Sequence, residues 1–336
     1  MALFRAVVRT ARMVRHAPRL GVGLPADDAV LLDAPDDRLA PALLAAGHGE
    51  FEPAAKLLAG TREAAEWENR DRYLLRLATF AQARGDWFEA WQSAAPHDPD
   101  ALLVKAELAV RHAWESPARA ELLRETAPLI NAAAEAGPRD PVPWRIALDH
   151  ARGCGSSRTA FNALWAEAVR RSPHHYGCHA AALQYLSASW YGSHRECLDF
   201  AERAAADALP GSLVRALPAR GAFAYLLGPG RSSVPAGRLH AAADCAIELS
   251  TAYEAGDPYP AEVRNLLAYV LVRLERWDDA LEQMRLIGPH ATSFPWDRVA
   301  DDPLGQFLEL RDGVRLEVAA ATPLRVRAGR TRSGRR

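Results

Sequence analysis

Apolar positions along most of the chain recur every three or four residues, the spacing that places them on one face of an α-helix. In the stretch Tyr73–Glu107 an apolar run is broken by a few polar residues, and a second apolar run follows. The same pattern returns in Asn265–Met284, again around a tryptophan. Because the breaks are short, successive helices are expected to pack as antiparallel neighbours. The pattern therefore predicts stacked helix pairs.

Glycine, proline and polar residues set the limits of these helices. Short helices are predicted over residues 27–33, 36–46 and 50–59. A continuous series of helices is then predicted over residues 62–84, 86–95, 98–115, 118–136, 141–152, 157–171, 174–188, 193–208, 212–227, 236–255, 260–275, 277–288 and 302–318. No β-hairpin signal occurs, and Val314–Val318 is the one segment for which an extended conformation is an alternative.

Polar residues that can cap helices stand at the expected starts. Side-chain oxygens at these positions would accept hydrogen bonds from free backbone N–H groups, as predicted for Asp98, Ser157, Ser193 and Asp302. Four pairs of adjacent aspartates also lie at predicted helix starts: Asp27/Asp28, Asp36/Asp37, Asp278/Asp279 and Asp301/Asp302. Paired carboxylates can bind Mg²⁺, but negative charge also stabilises a helix N-terminus, so capping is the favoured interpretation.

Composition supports a helical protein. Of the 336 residues, 49% are apolar and 25% charged, alanine is abundant, and β-branched residues are sparse. The net charge of −1 hides an uneven distribution. Residues 1–19 and 325–336 carry eleven arginines and no acid, which leaves 30 basic against 42 acidic residues in the body. This acidic body disfavours nucleic acid as its ligand.

Three regions follow from this distribution. Residues 1–20 are predicted to form a basic amphipathic helix, with Phe4 and Val7 on one face and arginines on the other. Residues 21–320 form the helical domain, with a possible hinge at 228–236, and residues 321–336 a disordered basic tail. The basic helix can simply pack on the body; alternatively, the basic ends contact an anionic membrane or an acidic partner.

The four cysteines lie far apart in sequence and form no Cys-x-x-Cys motif, which disfavours a disulfide framework. A reducing cytoplasm is the expected location. No segment reads as a transmembrane helix or as a signal peptide.

The helix pairs resemble tetratricopeptide repeats. In that family, the first helix carries the pattern large-x-x-large-small, the turn carries Gly-x-x-x-x-Ala, and a proline closes the unit. One unit here matches at Leu74, Leu77, Ala78, Gly85, Ala90 and Pro99. A second matches at Leu267, Ala268, Ala280 and Met284, with Glu275 in place of the turn glycine. The resemblance implies a superhelix of hairpins with an extended binding surface.

A third unit, Pro173–Ala208, departs further from this pattern. The stretch 161–204 is also similar to an uncharacterised group of bacterial helical proteins that carry a Trp-x-Gly-Ser turn, here Trp190–Ser193. That similarity implies no known activity. The repeats lack a fixed period, because 103 residues separate Trp87 from Trp190 and 87 separate Trp190 from Trp277. We therefore expect an all-α, irregular right-handed superhelix (α-solenoid) of antiparallel helix pairs. Its nine tryptophans are expected to pack mainly in the core.

One cluster of potential metal ligands lies in residues 174–197: His174, His175, Cys178, His179, His194 and Cys197. His175 and His179 are four residues apart and would share a helix face, so a metal-assisted enzyme is one alternative function. The two ends of a helix over 174–188 lie roughly 20 Å apart at 1.5 Å per residue. His175 and His179 lie near one end, whereas His194 and Cys197 follow the other end, so the two pairs are not expected to meet. We therefore expect no metal and no cofactor, and we favour histidines that serve in packing.

The favoured function is a non-catalytic scaffold or adaptor that binds a protein or peptide in a groove of the first helices. Five residues are candidates for contact with the partner: Arg76, Gln82, His179, Gln184 and Arg273. The alternatives are the metal-assisted enzyme and a peripheral membrane protein bound through its N-terminal helix.

Overall fold

The computed structural model describes residues 10–16, 20–228 and 234–322. Residues 10–16 are helical. The α-helices that follow are α1 Leu39–Gly47, α2 Glu52–Glu63, α3 Trp67–Ala83, α4 Asp86–Ala94, α5 Pro99–Glu115, α6 Arg119–Ala136, α7 Val142–Cys154, α8 Arg158–Arg171, α9 Tyr176–Tyr185, α10 His194–Asp207, α11 Leu217–Leu227, α12 Ala236–Thr251, α13 Ala261–Arg273, α14 Trp277–Ile287, α15 Ser293–Trp296 and α16 Pro303–Ala321. The protein is all-helical, as the sequence predicts.

Most helix limits follow the local chemistry of the chain. The side chain of Asp98 accepts hydrogen bonds from the backbone N–H groups of Asp100 and Ala101, which starts α5. The other predicted caps, Ser157, Ser193 and Asp302, likewise accept backbone N–H groups at the starts of α8, α10 and α16. The capping prediction is confirmed at all four positions.

The predicted helix over residues 27–33 is wrong. A short 3-10 turn covers Asp27–Ala29, and the chain then forms strand β1, Leu31–Leu32. Strand β1 pairs in parallel with β2, His290–Ala291, from the far end of the chain. A partner more than 250 residues away supplies the hydrogen bonds that a local helix would otherwise make.

Two other segments also differ from the pattern. The predicted helix over residues 62–84 is divided into α2 and α3, with Ala65 at φ +54° between them. The segment Leu213–Ala216 is a 3-10 turn that precedes α11. Val314–Val318, the candidate extended segment, lies inside helix α16.

The helices pack in two layers. Neighbours in sequence form pairs, such as α5 with α6, α11 with α12 and α13 with α14. In addition, α3 contacts α5, α5 contacts α7, and the series continues through α9 and α11 to α13. The helices α3, α5, α7, α9, α11 and α13 thus form one layer, which we call the inner helices. The helices α4, α6, α8, α10, α12 and α14 pack against this layer, and we call them the outer helices.

Tryptophans fill the core at several places but not everywhere. Trp87 and Trp91 are fully buried among the N-terminal helices, and Trp296 among the C-terminal ones. Trp114 and Trp190 instead stand half-buried beside a cavity. Only some of the tryptophans therefore pack in the core as the sequence predicts.

The segment 20–33 joins the two ends of the described chain. Arg311 in α16 donates to the carbonyl of Pro25 at 3.2 Å and forms an ion pair with Asp27. Asp33 accepts hydrogen bonds from Arg76 in α3 and from Ser293 in α15. Residues 1–9, 17–19, 229–233 and 323–336 lie outside the described residues, and with them most of the predicted basic helix, hinge and tail.

Candidate functional site

The inner helices surround a cavity with two adjoining chambers of about 730 and 600 Å³. Residues from α5, α7, α9 and α11 and from the segment after β2 line both chambers: Arg111, Arg145, Asp149, Arg152, Gln184, Arg220, Phe294 and Arg298. Because the chambers share these walls, we treat them as one central cavity. Each chamber has the volume of a typical ligand pocket, about 300–1,000 Å³.

The larger chamber is rich in arginine. Its wall contains the six arginines Arg111, Arg119, Arg145, Arg152, Arg220 and Arg298, against three carboxylates, Glu107, Glu115 and Asp149. The smaller chamber is lined by nearly equal numbers of the two charges, with seven arginines against six carboxylates. Arginines thus outnumber carboxylates among the residues that line this part of a protein whose body is acidic.

Aromatic rings hold several of these arginines in place. The guanidinium of Arg152 lies 4.3 Å from the ring centre of Trp114 and 4.7 Å from that of Trp190. The two indoles contact each other edge to face at 5.5 Å. Across the cavity, Arg220 lies 4.3 Å over the ring of Phe294. Cation–π contacts of this kind orient a charged group without neutralising it.

Arg145 lines both chambers of the cavity, but its own hydrogen bonds are made within the protein. It is almost fully buried and donates hydrogen bonds to Asp71 at 2.8 Å and to Glu107 at 2.7 Å. Burial alone would lower the pKa of Arg145, but the charges of Asp71 and Glu107 raise it well above its ordinary value. These bonds engage Arg145 within the protein and tie α7 to α3 and α5.

The histidine and cysteine cluster lies behind the wall of the cavity. His175 Nδ1 is 3.1 Å from Cys178 Sγ, and both side chains are buried. Burial would lower the pKa of His175, but the adjacent Cys178 and Glu68 raise it to about 10. Burial also raises the pKa of the Cys178 thiol. Neither side chain lines the cavity.

His179, which the sequence predicts as a partner-binding residue, is 5% exposed. Its ring packs edge to face against Trp165 at 4.9 Å, and burial lowers its pKa to about 4. It therefore faces the core and not a groove. Among the described residues, no group of three or more His, Cys, Asp or Glu side chains is arranged to hold a metal ion.

The other predicted contact residues divide into two groups. Arg76 and Gln184 line the central cavity. Gln82 and Arg273 are exposed and line neither chamber; Gln82 bonds to Glu115, and Arg273 donates to the hydroxyl of Tyr269 at 2.8 Å.

Most residues of the cavity wall are not among the contact residues predicted from the sequence. A signal was nevertheless present, because charged residues recur at helical spacing on the inner helices. In α7, Arg145, Asp149 and Arg152 follow one another at four and three residues, and Glu107 and Arg111 do so at four in α5. Charged residues repeated along an otherwise apolar helix face indicate a buried polar site.

Two further observations bear on the class of protein. Within the described ranges, no helix combines the length and apolarity needed to cross a bilayer. Comparison of the chain with protein-family models, with curated proteins and with solved structures finds no match. The function of the protein is therefore inferred from the geometry of the cavity.

Proposed function

We propose that the protein is a non-catalytic scaffold that binds a peptide segment of a partner protein in its central cavity. The observation that carries this proposal is the wall of the larger chamber, where arginines stand between indole and phenyl rings. Such a wall offers hydrogen-bond donors and flat apolar surface side by side. A peptide presents both carbonyl or carboxylate oxygens and apolar side chains, so it complements this surface.

The architecture supports the same proposal. In this view the helix pairs follow a right-handed superhelix of tetratricopeptide type, and its inner helices supply the binding surface. The contacts that run from α3 through α5, α7, α9 and α11 to α13 are what such a path requires. The arginine-lined cavity would attract an anionic segment at short range, whereas the acidic body would repel that segment elsewhere on the surface.

The proposal is tested by affinity purification with mass spectrometry, using one cavity variant and one matched control. Arg298 lines both chambers and is 61% exposed, so Arg298→Glu changes the cavity charge with little effect on folding. Arg195, on the outer helix α10, is 88% exposed and provides the same charge change outside the cavity as Arg195→Glu.

We expect the wild-type protein and Arg195→Glu to capture the same partner and Arg298→Glu to lose it. Equal capture by all three proteins would show that the cavity is not the binding surface. Far-ultraviolet circular dichroism of each variant confirms that the fold is retained.

A further inference from the structure

Three arginines of the larger chamber have donors that the protein itself does not use. A guanidinium has five N–H donors. Arg111 and Arg152 each engage a carboxylate through Nη2, at 3.5 Å and 3.1 Å. Arg220 bonds to the carboxylate of Glu262 at 2.6 Å and to the hydroxyl of Tyr176 at 3.3 Å, both through Nη1. Within the described residues, Nη1 of Arg111 and Arg152 and Nη2 of Arg220 make no hydrogen bond.

These free donors are open to the cavity. The Nε atoms of Arg111 and Arg152 are buried without a partner, whereas the free Nη atoms are not among the buried unpartnered atoms. The three residues are only partly buried, and all line the larger chamber. Gln184 lies in the same wall, and its amide makes no hydrogen bond within the described part of the chain.

Each of these arginines has a carboxylate partner within the protein: Glu107 for Arg111, Asp149 for Arg152 and Glu262 for Arg220. Glu107 is shared with Arg145, which it contacts at 2.7 Å, and Glu115 accepts from Gln82. Arg145 and Arg220 also pair with Asp71 and Glu262, which line only the smaller chamber, so what the larger chamber retains is unused N–H donors. Partly desolvated cations with free donors are stabilised by an anion that supplies oxygen acceptors.

We propose that Arg111, Arg152 and Arg220, together with Gln184, form a carboxylate-binding site in the larger chamber. We call this set the arginine cradle. The inference rests on the proposed function, and it deepens it by naming the ligand class: an acidic peptide segment with apolar residues beside its carboxylates.

Two features favour this class of ligand. The cradle residues come from α5, α7, α9 and α11, so they line the chamber along its wall and a chain with more than one carboxylate can contact them in succession. Trp114, Trp190, Phe223 and Phe294 lie in the same wall and offer apolar contact between the charges. The carboxylates can belong to acidic side chains or to the C-terminus of the peptide.

The test uses isothermal titration calorimetry with four synthetic hexapeptides. The first is Ac-Gly-Glu-Leu-Leu-Glu-Gly-NH2, and the second replaces both glutamates with glutamine. The third keeps the glutamines but has a free C-terminal carboxylate. The fourth carries phosphoserine in place of each glutamate. Each is measured against wild type, Arg152→Gln, Arg220→Gln and the outer-surface control Arg195→Gln, at low and high salt.

We expect the glutamate peptide to bind, and its affinity to fall as salt rises. The amidated glutamine peptide should bind at least about tenfold more weakly, because charge-assisted hydrogen bonds are lost. Arg152→Gln and Arg220→Gln should each weaken the glutamate peptide by about tenfold to a hundredfold, and Arg195→Gln should leave it unchanged. Binding of the free-carboxylate peptide would identify the chain end as a source of the carboxylate.

Three results would overturn the arginine cradle: equal affinity for the glutamate and glutamine peptides, tighter binding of the phosphoserine peptide, or no binding of any acidic peptide. If Arg220→Gln fails to fold, Arg111→Gln tests a third arginine of the cradle in the same wall. Loss of partner capture by Arg298→Glu would still support the scaffold function, so failure of the cradle and failure of the scaffold are distinguishable.

Discussion

Arg70 gives the sharpest prediction about stability. Its side chain is 1% exposed and donates hydrogen bonds to Asp140 and Asp100, each at 2.6 Å, and to the carbonyl of Leu58 at 2.8 Å. Arg70→Met keeps much of the apolar volume but removes the charge. Asp100 retains a second ion pair with Arg62 at 3.2 Å, whereas Asp140, which is 2% exposed, loses its cationic partner.

The magnitude follows from this asymmetry. Three hydrogen bonds to charged groups at about 1.5–3 kcal/mol each set an upper limit. Because Asp100 keeps Arg62, we expect the free energy of unfolding to fall by about 3–5 kcal/mol, the usual cost of breaking a buried ion pair. Urea denaturation followed by circular dichroism measures it, with the exposed Arg195→Met as control.

Two further measurements identify the cause. Burial already raises the pKa of Asp140, and Arg70 opposes this shift. Without Arg70 the pKa should rise further, so the folded variant takes up a proton more readily than the unfolded chain. The deficit relative to wild type should therefore shrink as the pH falls from about 7 to 5. Adding Asp140→Asn should recover part of the loss. A deficit below about 1 kcal/mol, or one that Asp140→Asn leaves unchanged, would refute the reasoning.

Three other predictions concern stability. In Gly192→Ala the added Cβ would lie 2.0 Å from the carbonyl oxygen of Leu186, so we expect thermal unfolding at a clearly lower temperature. The control Gly237→Ala has open space around the added Cβ and should leave the unfolding temperature unchanged or raise it slightly. The pKa of His175 is raised from 6.5 to about 10. The contribution of the protonated ring to stability is therefore fully present below about pH 6.5 and is lost as the pH rises through about 10. His175→Gln should flatten the decrease in the free energy of unfolding over that pH range, and an unchanged slope would contradict this. Asp33→Ala removes the carboxylate that joins the N-terminal segment to α3 and α15, and should reduce the free energy of unfolding by about 1–3 kcal/mol; urea denaturation that matches wild type would contradict this.

Much of the helical architecture could be read from local sequence. Helix α5 begins after Asp98 because an aspartate oxygen there satisfies two backbone N–H groups, and the proline and acid that follow favour the first turn. α10 and α16 start for the same reason at Ser193 and Asp302. Capping depends on residues within one helical turn of each other, so a linear pattern contains the information.

The candidate site was predicted only in part. Gln184 and His179 lie on the same helix, five residues apart, and both were candidate contact residues. Gln184 lines the cavity, whereas His179 is buried against Trp165. The short helix α9 is covered on almost every side, so its sequence lacks the polar face that would separate an accessible position from an enclosed one.

The sequence alone therefore established the helices, their caps and the pairing of neighbours, because these depend on interactions between residues close in the chain. Tertiary packing established that Leu31–Leu32 is a strand and not a helix, since its partner is His290–Ala291. It also brought Arg111, Arg152 and Arg220 from three helices to one wall. Contacts between distant segments decide which charges are neutralised and which stay available, and no local pattern specifies those contacts.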